Sequence, residues 1–301
     1  MELFKGAGVA LITPFNEDGS VDFASLENLI EFQIQNGTNA IICLGTTGEP
    51  STMTLSEKTS IMKFFKEKIN GRVPMIVGTG ANCTQTAVDN TKLAEQIGAD
   101  GILAVTPYYN KCSQLGLIEY YKDLHNATSL PIIAYNVPGR TGVNILPTTF
   151  KKMVENGSVV AIKEASGNMS QIMEVANIIK NELDGKAYLY SGDDGLTLPI
   201  LAVGGSGVIS VASNCVPDLM SGITNAYFNG NIELAQKLQL GLCDLIKALF
   251  MEVNPTPVKK ACNLLGLCSD YLRKPLLSME EKNVPVLQNA LCKAQKLKEL
   301  L

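Results

Sequence analysis

The stretch Val159-Val160-Ala161-Ile162-Lys163-Glu164-Ala165-Ser166-Gly167 sets an amine inside an apolar run. Small and β-branched residues lead into it, which predicts a buried strand. Side chains alternate along a strand, so Lys163 shares one face with Ala161 and Ala165. Two small neighbours leave room for a long side chain and a ligand. An ammonium there is poorly solvated, which lowers its pKa and frees the neutral amine. Such an amine is the nucleophile of Schiff-base chemistry with carbonyl compounds. The alternative for this stretch alone is a strand-end lysine that snorkels to water.

The elements around it alternate between apolar runs and amphipathic runs. The strand candidates are Val9–Phe15, Ala40–Gly45, Met75–Gly80, Ile102–Pro107, Ile132–Val137, Val159–Ala165, Tyr188–Gly192 and Val208–Ala212. Helical spacing follows each of them, over Asp22–Gln35, Leu55–Ile69, Thr84–Ile97, Leu115–Ala127, Pro147–Glu155, Ser170–Leu183, Leu196–Val203 and Pro217–Phe228. Ser56 is the expected cap of the second helix. Gly98, Gly157, Gly185, Gly204 and Gly230 stand where helices should stop. This alternation predicts an α/β protein, a (β/α)8 TIM barrel over residues 1–230. A doubly wound sheet would need a Gly-rich first turn, and Thr13-Pro14-Phe15-Asn16 is not one. Gly204-Gly205-Ser206-Gly207 precedes the eighth strand and reads as a tight turn on the face opposite the site. Residues 231–301 form a C-terminal helical appendage, with one stripe from Ala235 to Leu249, a break at Asn254-Pro255-Thr256-Pro257, and helices over Val258–Leu267 and Glu280–Leu301.

Composition removes several functions. The chain has 301 residues, a formal charge of −4 and no basic block, which argues against a nucleic-acid partner or an anionic membrane surface. No apolar run reaches spanning length and the first residues do not begin a signal peptide, so the expected location is cytoplasmic. The eight cysteines show no CxxC spacing and are expected to be reduced, with Cys43 in the core. His125 is the only histidine, which excludes most zinc sites; it sits in a helix-like stretch with a surface or packing role.

In such barrels chemistry sits at the carboxyl ends of the strands. Those ends read Gly45-Thr46-Thr47-Gly48-Glu49, Thr106-Pro107-Tyr108-Tyr109-Asn110-Lys111, Tyr135-Asn136-Val137-Pro138-Gly139-Arg140-Thr141, Lys163, and Ser191-Gly192-Asp193-Asp194. Besides Lys111 they hold the Lys163 amine, three tyrosines, four threonines and one arginine, and no metal-ligand cluster. The two adjacent aspartates are expected to cap the next helix. A phenol near the amine can shuttle protons. Thr-Thr-Gly offers hydroxyl and N–H donors to a carboxylate, and Arg140 a bidentate fork to a second one.

GTTGE, TPYYN, YNVPGRTG, IKEASGN and SGDD, in this order, resemble the dihydrodipicolinate synthase (4-hydroxy-tetrahydrodipicolinate synthase) family, from about Phe4 to Leu277 and including Asn254–Lys259. The resemblance implies a class I aldolase type of lyase. It would condense pyruvate with L-aspartate-4-semialdehyde in lysine (diaminopimelate) biosynthesis, with no cofactor besides the Schiff base. By the family pattern Lys163 is the nucleophile, Tyr135 the proton donor and acceptor, and Thr46 and Tyr109 the rest of a proton relay. Thr47 and Ile209, the latter through its carbonyl, would contact pyruvate. Arg140 would hold the semialdehyde carboxylate, and Gly192 would border the substrates. The resemblance also implies a homotetramer, a dimer of dimers, with Tyr109 reaching across the tight interface. Sister aldolases resembling N-acetylneuraminate lyase share the lysine and tyrosine but lack the arginine. A silent barrel that only binds a keto acid would not keep the whole set. Many relatives bind lysine in the tight interface; Asn82 and Tyr108 fit that pattern, whereas Leu55, Lys58 and Thr86 depart from it, so weak or absent inhibition is expected.

Overall fold

In the computed structural model, which describes residues 2–301, eight parallel strands close into a barrel in chain order. They are β1 (Gly6–Ala10), β2 (Ala40–Cys43), β3 (Met75–Gly78), β4 (Gly101–Val105), β5 (Ile132–Asn136), β6 (Ala161–Glu164), β7 (Tyr188–Ser191) and β8 (Gly207–Ser210). Strand β8 pairs with β1, and this closure needs glycine at position 207: a Cβ there would stand 1.9 Å from the Gly6 carbonyl oxygen. Around the barrel run α1 (Phe23–Gln35), α2 (Leu55–Ile69), α3 (Thr84–Ile97), α4 (Gln114–Asn126), α5 (Pro138–Thr141), α6 (Pro147–Glu155), α7 (Met169–Asn181), α8 (Thr197–Ala202) and α9 (Pro217–Phe228). Four further helices follow: α10 (Ile232–Gly241), α11 (Cys243–Leu249), α12 (Thr256–Leu264) and α13 (Val284–Lys296).

The strands are apolar on both faces because both faces are covered. Ile132, Ala134 and Ile162 point outward into the layer shared with the helices, together with Cys43. Ile133, Tyr135, Ala161 and Ile209 point into the barrel. At the amino-terminal end Phe4 stacks on Tyr190, ring centroids 4.5 Å apart, and the Tyr190 hydroxyl donates to the Phe4 carbonyl at 2.6 Å. That plug leaves the carboxyl end as the open one.

Several boundaries differ from the sequence reading. The first strand is Gly6–Ala10, not Val9–Phe15. Leu11 N–H still donates to Ile42 O at 3.1 Å, after which the backbone leaves the ladder and Ile12 N–H donates to Asn214 Oδ1 at 2.9 Å instead. The cap of α2 is Thr54, not Ser56: Thr54 Oγ1 accepts from Glu57 N–H, and the Glu57 carboxylate accepts from Thr54 N–H, a capping box. The stripe from Ala235 to Leu249 is two helices, α10 and α11, broken at Leu242. The last helix starts at Val284 rather than Glu280. The short helix α5 escaped the sequence reading, because four residues carry no periodicity. The five glycines expected to stop helices all have positive φ.

Candidate active site

Period-two alternation in β6 turns Lys163 inward above Ala161, and its side chain is only 4% exposed. Burial depresses its pKa to about 7; the buried Asp194 charge opposes this and the Arg140 charge reinforces it. Space for the side chain depends on Gly192, where a Cβ would lie 3.0 Å from Lys163 Cε and 2.8 Å from Ala165 Cβ.

Tyr135 is the register partner of Lys163 on β5, and Lys163 Nζ lies 4.3 Å from its ring centroid. Burial pushes the phenol up to about 12, against the opposing influence of the Arg140 charge and the Thr46 hydroxyl. At neutral pH the phenol therefore keeps its proton while the amine readily gives one up. This is a workable division between acid and nucleophile.

After β2 the chain tightens into a 3-10 turn, Thr46–Gly48, with Gly48 N–H donating to Gly45 O at 2.9 Å. Thr13 Oγ1 holds the turn by donating to Gly48 O at 2.8 Å. The turn leaves Thr46 half-buried and Thr47 buried at the cavity edge. Thr47 Oγ1 accepts from Asn254 Nδ2 at 2.9 Å, and Asn254 O accepts from Arg140 Nη2 at 3.0 Å. Helix α5 carries Arg140, with Thr141 Oγ1 accepting from Val143 N–H at 3.1 Å just beyond.

Lys163, Tyr135, Thr46, Thr47, Arg140 and Gly192 thus border one cavity of about 170 Å3. A larger cavity of about 450 Å3 adjoins it across Gly45, Thr46, Tyr135, Val137 and Arg140, and runs out to Lys58, Asn82, Thr86 and Tyr108. Two expected residues are not brought to the smaller cavity. Ile209 is buried in the barrel below it, and Val211, two residues on, forms the wall. Tyr109 has φ 75°, is 88% exposed, and lines neither cavity of its own chain.

The aspartate pair divides its work. Asp193 Oδ1 accepts from Gly195 N–H at 2.9 Å, a cap. Asp194 is not one: it is buried, and its Oδ2 accepts from Val211 and Ala212 N–H at 3.0 and 2.9 Å. Burial raises its carboxyl pKa despite the Ser210 hydroxyl and these backbone donors. His125 is exposed on α4. Among the described residues no group of three or more His, Cys, Asp or Glu side chains is placed to hold a metal.

Sequence reading missed Asn254 and Phe250 on the cavity wall, and Glu164 behind it. The Glu164 carboxylate faces away from Lys163 and is fully buried, with Asn136 Nδ2 3.1 Å from both oxygens and Ser166 N–H donating at 2.9 Å. Aligning β5 with β6 would have revealed this pair, since Asn136 and Glu164 are register partners. Asn254 is legible as a helix break and as part of the motif Asn254–Lys259, but not as a site residue, because its partner Thr47 lies 207 positions away.

A family model described as the dihydrodipicolinate synthetase family matches residues 3–294. A 4-hydroxy-tetrahydrodipicolinate synthase of Caldicellulosiruptor bescii is 51% identical over 97% of this chain and 97% of its own. The crystal structure of dihydrodipicolinate synthase from Thermotoga maritima superposes with a TM-score of 0.95 at 43% identity, covering 98% of this chain and 99% of that one. A chloride-inhibited dihydrodipicolinate synthase from Acinetobacter baumannii, complexed with pyruvate, gives 0.93 at 41% identity over 97% and 99%.

Proposed function

The chain belongs to the dihydrodipicolinate synthetase family, and from that premise we infer that it is a lyase of the class I aldolase type. Its reaction is the condensation of pyruvate with L-aspartate-4-semialdehyde to 4-hydroxy-tetrahydrodipicolinate, a step of lysine and diaminopimelate biosynthesis. The observation that carries this reading is the buried Lys163 amine, near neutral pKa, against the Tyr135 phenol.

Lys163 Nζ attacks the ketone carbon of pyruvate, and its proton passes to the carbinolamine oxygen, which leaves as water. Tyr135 supplies and recovers that proton, with Thr46 as its contact toward solvent. The iminium carbon draws electrons, a methyl proton passes to the Tyr135 relay, and the resulting enamine carbon attacks the aldehyde carbon of the second substrate, whose oxygen takes a proton from the same relay and becomes the hydroxyl. The amino group of that substrate then displaces Lys163 from the imine carbon, closing the ring and freeing the enzyme. Thr47 holds the pyruvate carboxylate, Gly192 leaves space, and Arg140 holds the semialdehyde carboxylate; a pyruvate contact through the Ile209 carbonyl rests on the family resemblance alone, since Ile209 lies below the cavity. No cofactor beyond the covalent imine is needed for these steps.

The assembly we propose is a homotetramer of two tight dimers, with Tyr109 completing the relay of the neighbouring subunit. Its exposure and its left-handed backbone support this role, since a strained residue held outward persists where function requires it. A cytoplasmic location accords with eight unpaired cysteines; among the described residues no helix is long and apolar enough to cross a membrane. The test is to add pyruvate and borohydride and look for a reduced adduct on Lys163, then to follow turnover with the semialdehyde. No adduct and no turnover would overturn the reading.

A further inference from the structure

Asn254 belongs to the C-terminal region, between α11 and α12, yet it is 5% exposed and lines the cavity of Lys163. Its amide donates to Thr47 Oγ1 at 2.9 Å, and its main-chain carbonyl accepts from Arg140 Nη2 at 3.0 Å. Its Oδ1 is buried with no partner. A hydroxyl has one proton and two lone pairs. When an amide N–H fills a lone pair of Thr47 Oγ1, the hydroxyl proton must point elsewhere, and the cavity is the free side. A carboxylate only accepts, so the hydroxyl must donate to bind it.

We propose that Asn254 is a positioning residue for the first substrate: its side-chain amide turns the Thr47 hydroxyl proton toward the pyruvate carboxylate. This rests on the reaction proposed above. The two halves of Asn254 act separately. The side chain sets Thr47, and the main chain anchors Arg140, which serves the second substrate. Replacing the side chain therefore weakens pyruvate and spares the semialdehyde, a split that general damage to the site would not produce.

Asn254→Ala and Asn254→Asp are compared with the wild type in steady-state kinetics and borohydride trapping, and thermal unfolding verifies that each is folded. In Asn254→Ala the Thr47 hydroxyl is free to rotate, and kcat/KM for pyruvate falls about tenfold. In Asn254→Asp, of the same size, the carboxylate accepts the Thr47 proton and repels the substrate, so the fall is about a hundredfold. In both, kcat/KM for the semialdehyde falls by less than about threefold, and saturating pyruvate still gives the Lys163 adduct. An equal loss on both substrates would overturn the proposal. So would unchanged pyruvate kinetics in Asn254→Ala, or wild-type behaviour in Asn254→Asp, which would make Asn254 an acceptor from Thr47. A wild type that formed no adduct at all would overturn the reaction itself, and this proposal with it, whatever the variants did.

Discussion

Lys163 and Tyr135 face each other across the β5–β6 pairing, the amine nitrogen 4.3 Å from the phenol ring centroid. The same burial acts on the two groups in opposite directions, because each resists its charged form. The amine moves down to about 7 and the phenol up to about 12. One apolar wall thus readies a nucleophile and keeps an acid protonated.

Imine formation should follow the Lys163 titration. The rate of adduct formation, measured by quenching with borohydride, should climb with pH up to about 7 and then level off. A rate still climbing at pH 10 would mean an ordinary, solvated lysine. Lys163→Ala should lose the trapped adduct and nearly all turnover; an adduct retained on another lysine would remove Lys163 from the mechanism.

The same burial has a cost in stability. Between a folded pKa of about 7 and the ordinary 10.5, the unfolded chain binds a proton that the folded chain does not. Stability therefore rises with pH across that window, and the penalty is complete below about pH 7. Lys163→Met should stabilise the protein against urea, and the gain should be larger at pH 7 than at pH 10. Equal gains at both pH values would show that the amine is not held near neutrality.

Arg140 should set the requirement for the second substrate. A hydrogen-bonded charge pair of this kind contributes about 1.5–3 kcal/mol, so Arg140→Ala should raise KM for the semialdehyde about ten- to a hundredfold. The pyruvate requirement should move far less. Equal effects on both substrates, in parallel titrations, would assign Arg140 a general structural role.

What could be read from the sequence was what is local or periodic. The strand–helix alternation depends on spacing, and the inward lysine on period two. Strand β1 was misplaced because Gly6, Ala7 and Gly8 look like a turn, while Leu11 and Ile12 look like strand. Which of them pairs is decided by Asn214, whose side chain takes the Ile12 N–H from 202 positions away. The site role of Asn254 is hidden for the same reason, since its partners, Thr47 and Arg140, lie in distant segments. Two adjacent aspartates on a turn both carry the signature of a cap, and only Asp193 is one. The true donors to Asp194, those of Val211 and Ala212, come into range only once the barrel closes.

Tyr109 should serve a neighbouring subunit. It lies outside both cavities of its own chain. Lys163→Ala and Tyr109→Phe subunits should each assemble into poorly active enzymes. Unfolded and refolded together, they should recover activity. The mixed pair holds one site with an intact Lys163 and a Tyr109 from its neighbour. The check is turnover against mixing ratio, with assembly followed by ultracentrifugation. No recovery in confirmed mixed assemblies would place Tyr109 in its own chain's site, or outside catalysis.

Feedback by lysine should be weak or absent. The larger cavity is where the family resemblance places a lysine ligand, and its wall includes Pro50, Ser51, Lys58, Asn82, Thr86 and Tyr108. Lys58 and Arg140 both border that space, and no Asp or Glu does. A lysine ligand brings an ammonium with no carboxylate to meet it from this chain. Lys58 is partly desolvated, which lowers its pKa, and a second cation nearby would oppose its charge further. Leu55 is 63% exposed and offers the ligand no hydrogen bond. Turnover titrated with L-lysine at subsaturating pyruvate should stay within about twofold of the uninhibited rate up to millimolar ligand, since like charges near a surface cancel what a few neutral hydrogen bonds contribute. Strong inhibition at submillimolar lysine would mean that the facing subunit supplies the missing carboxylate.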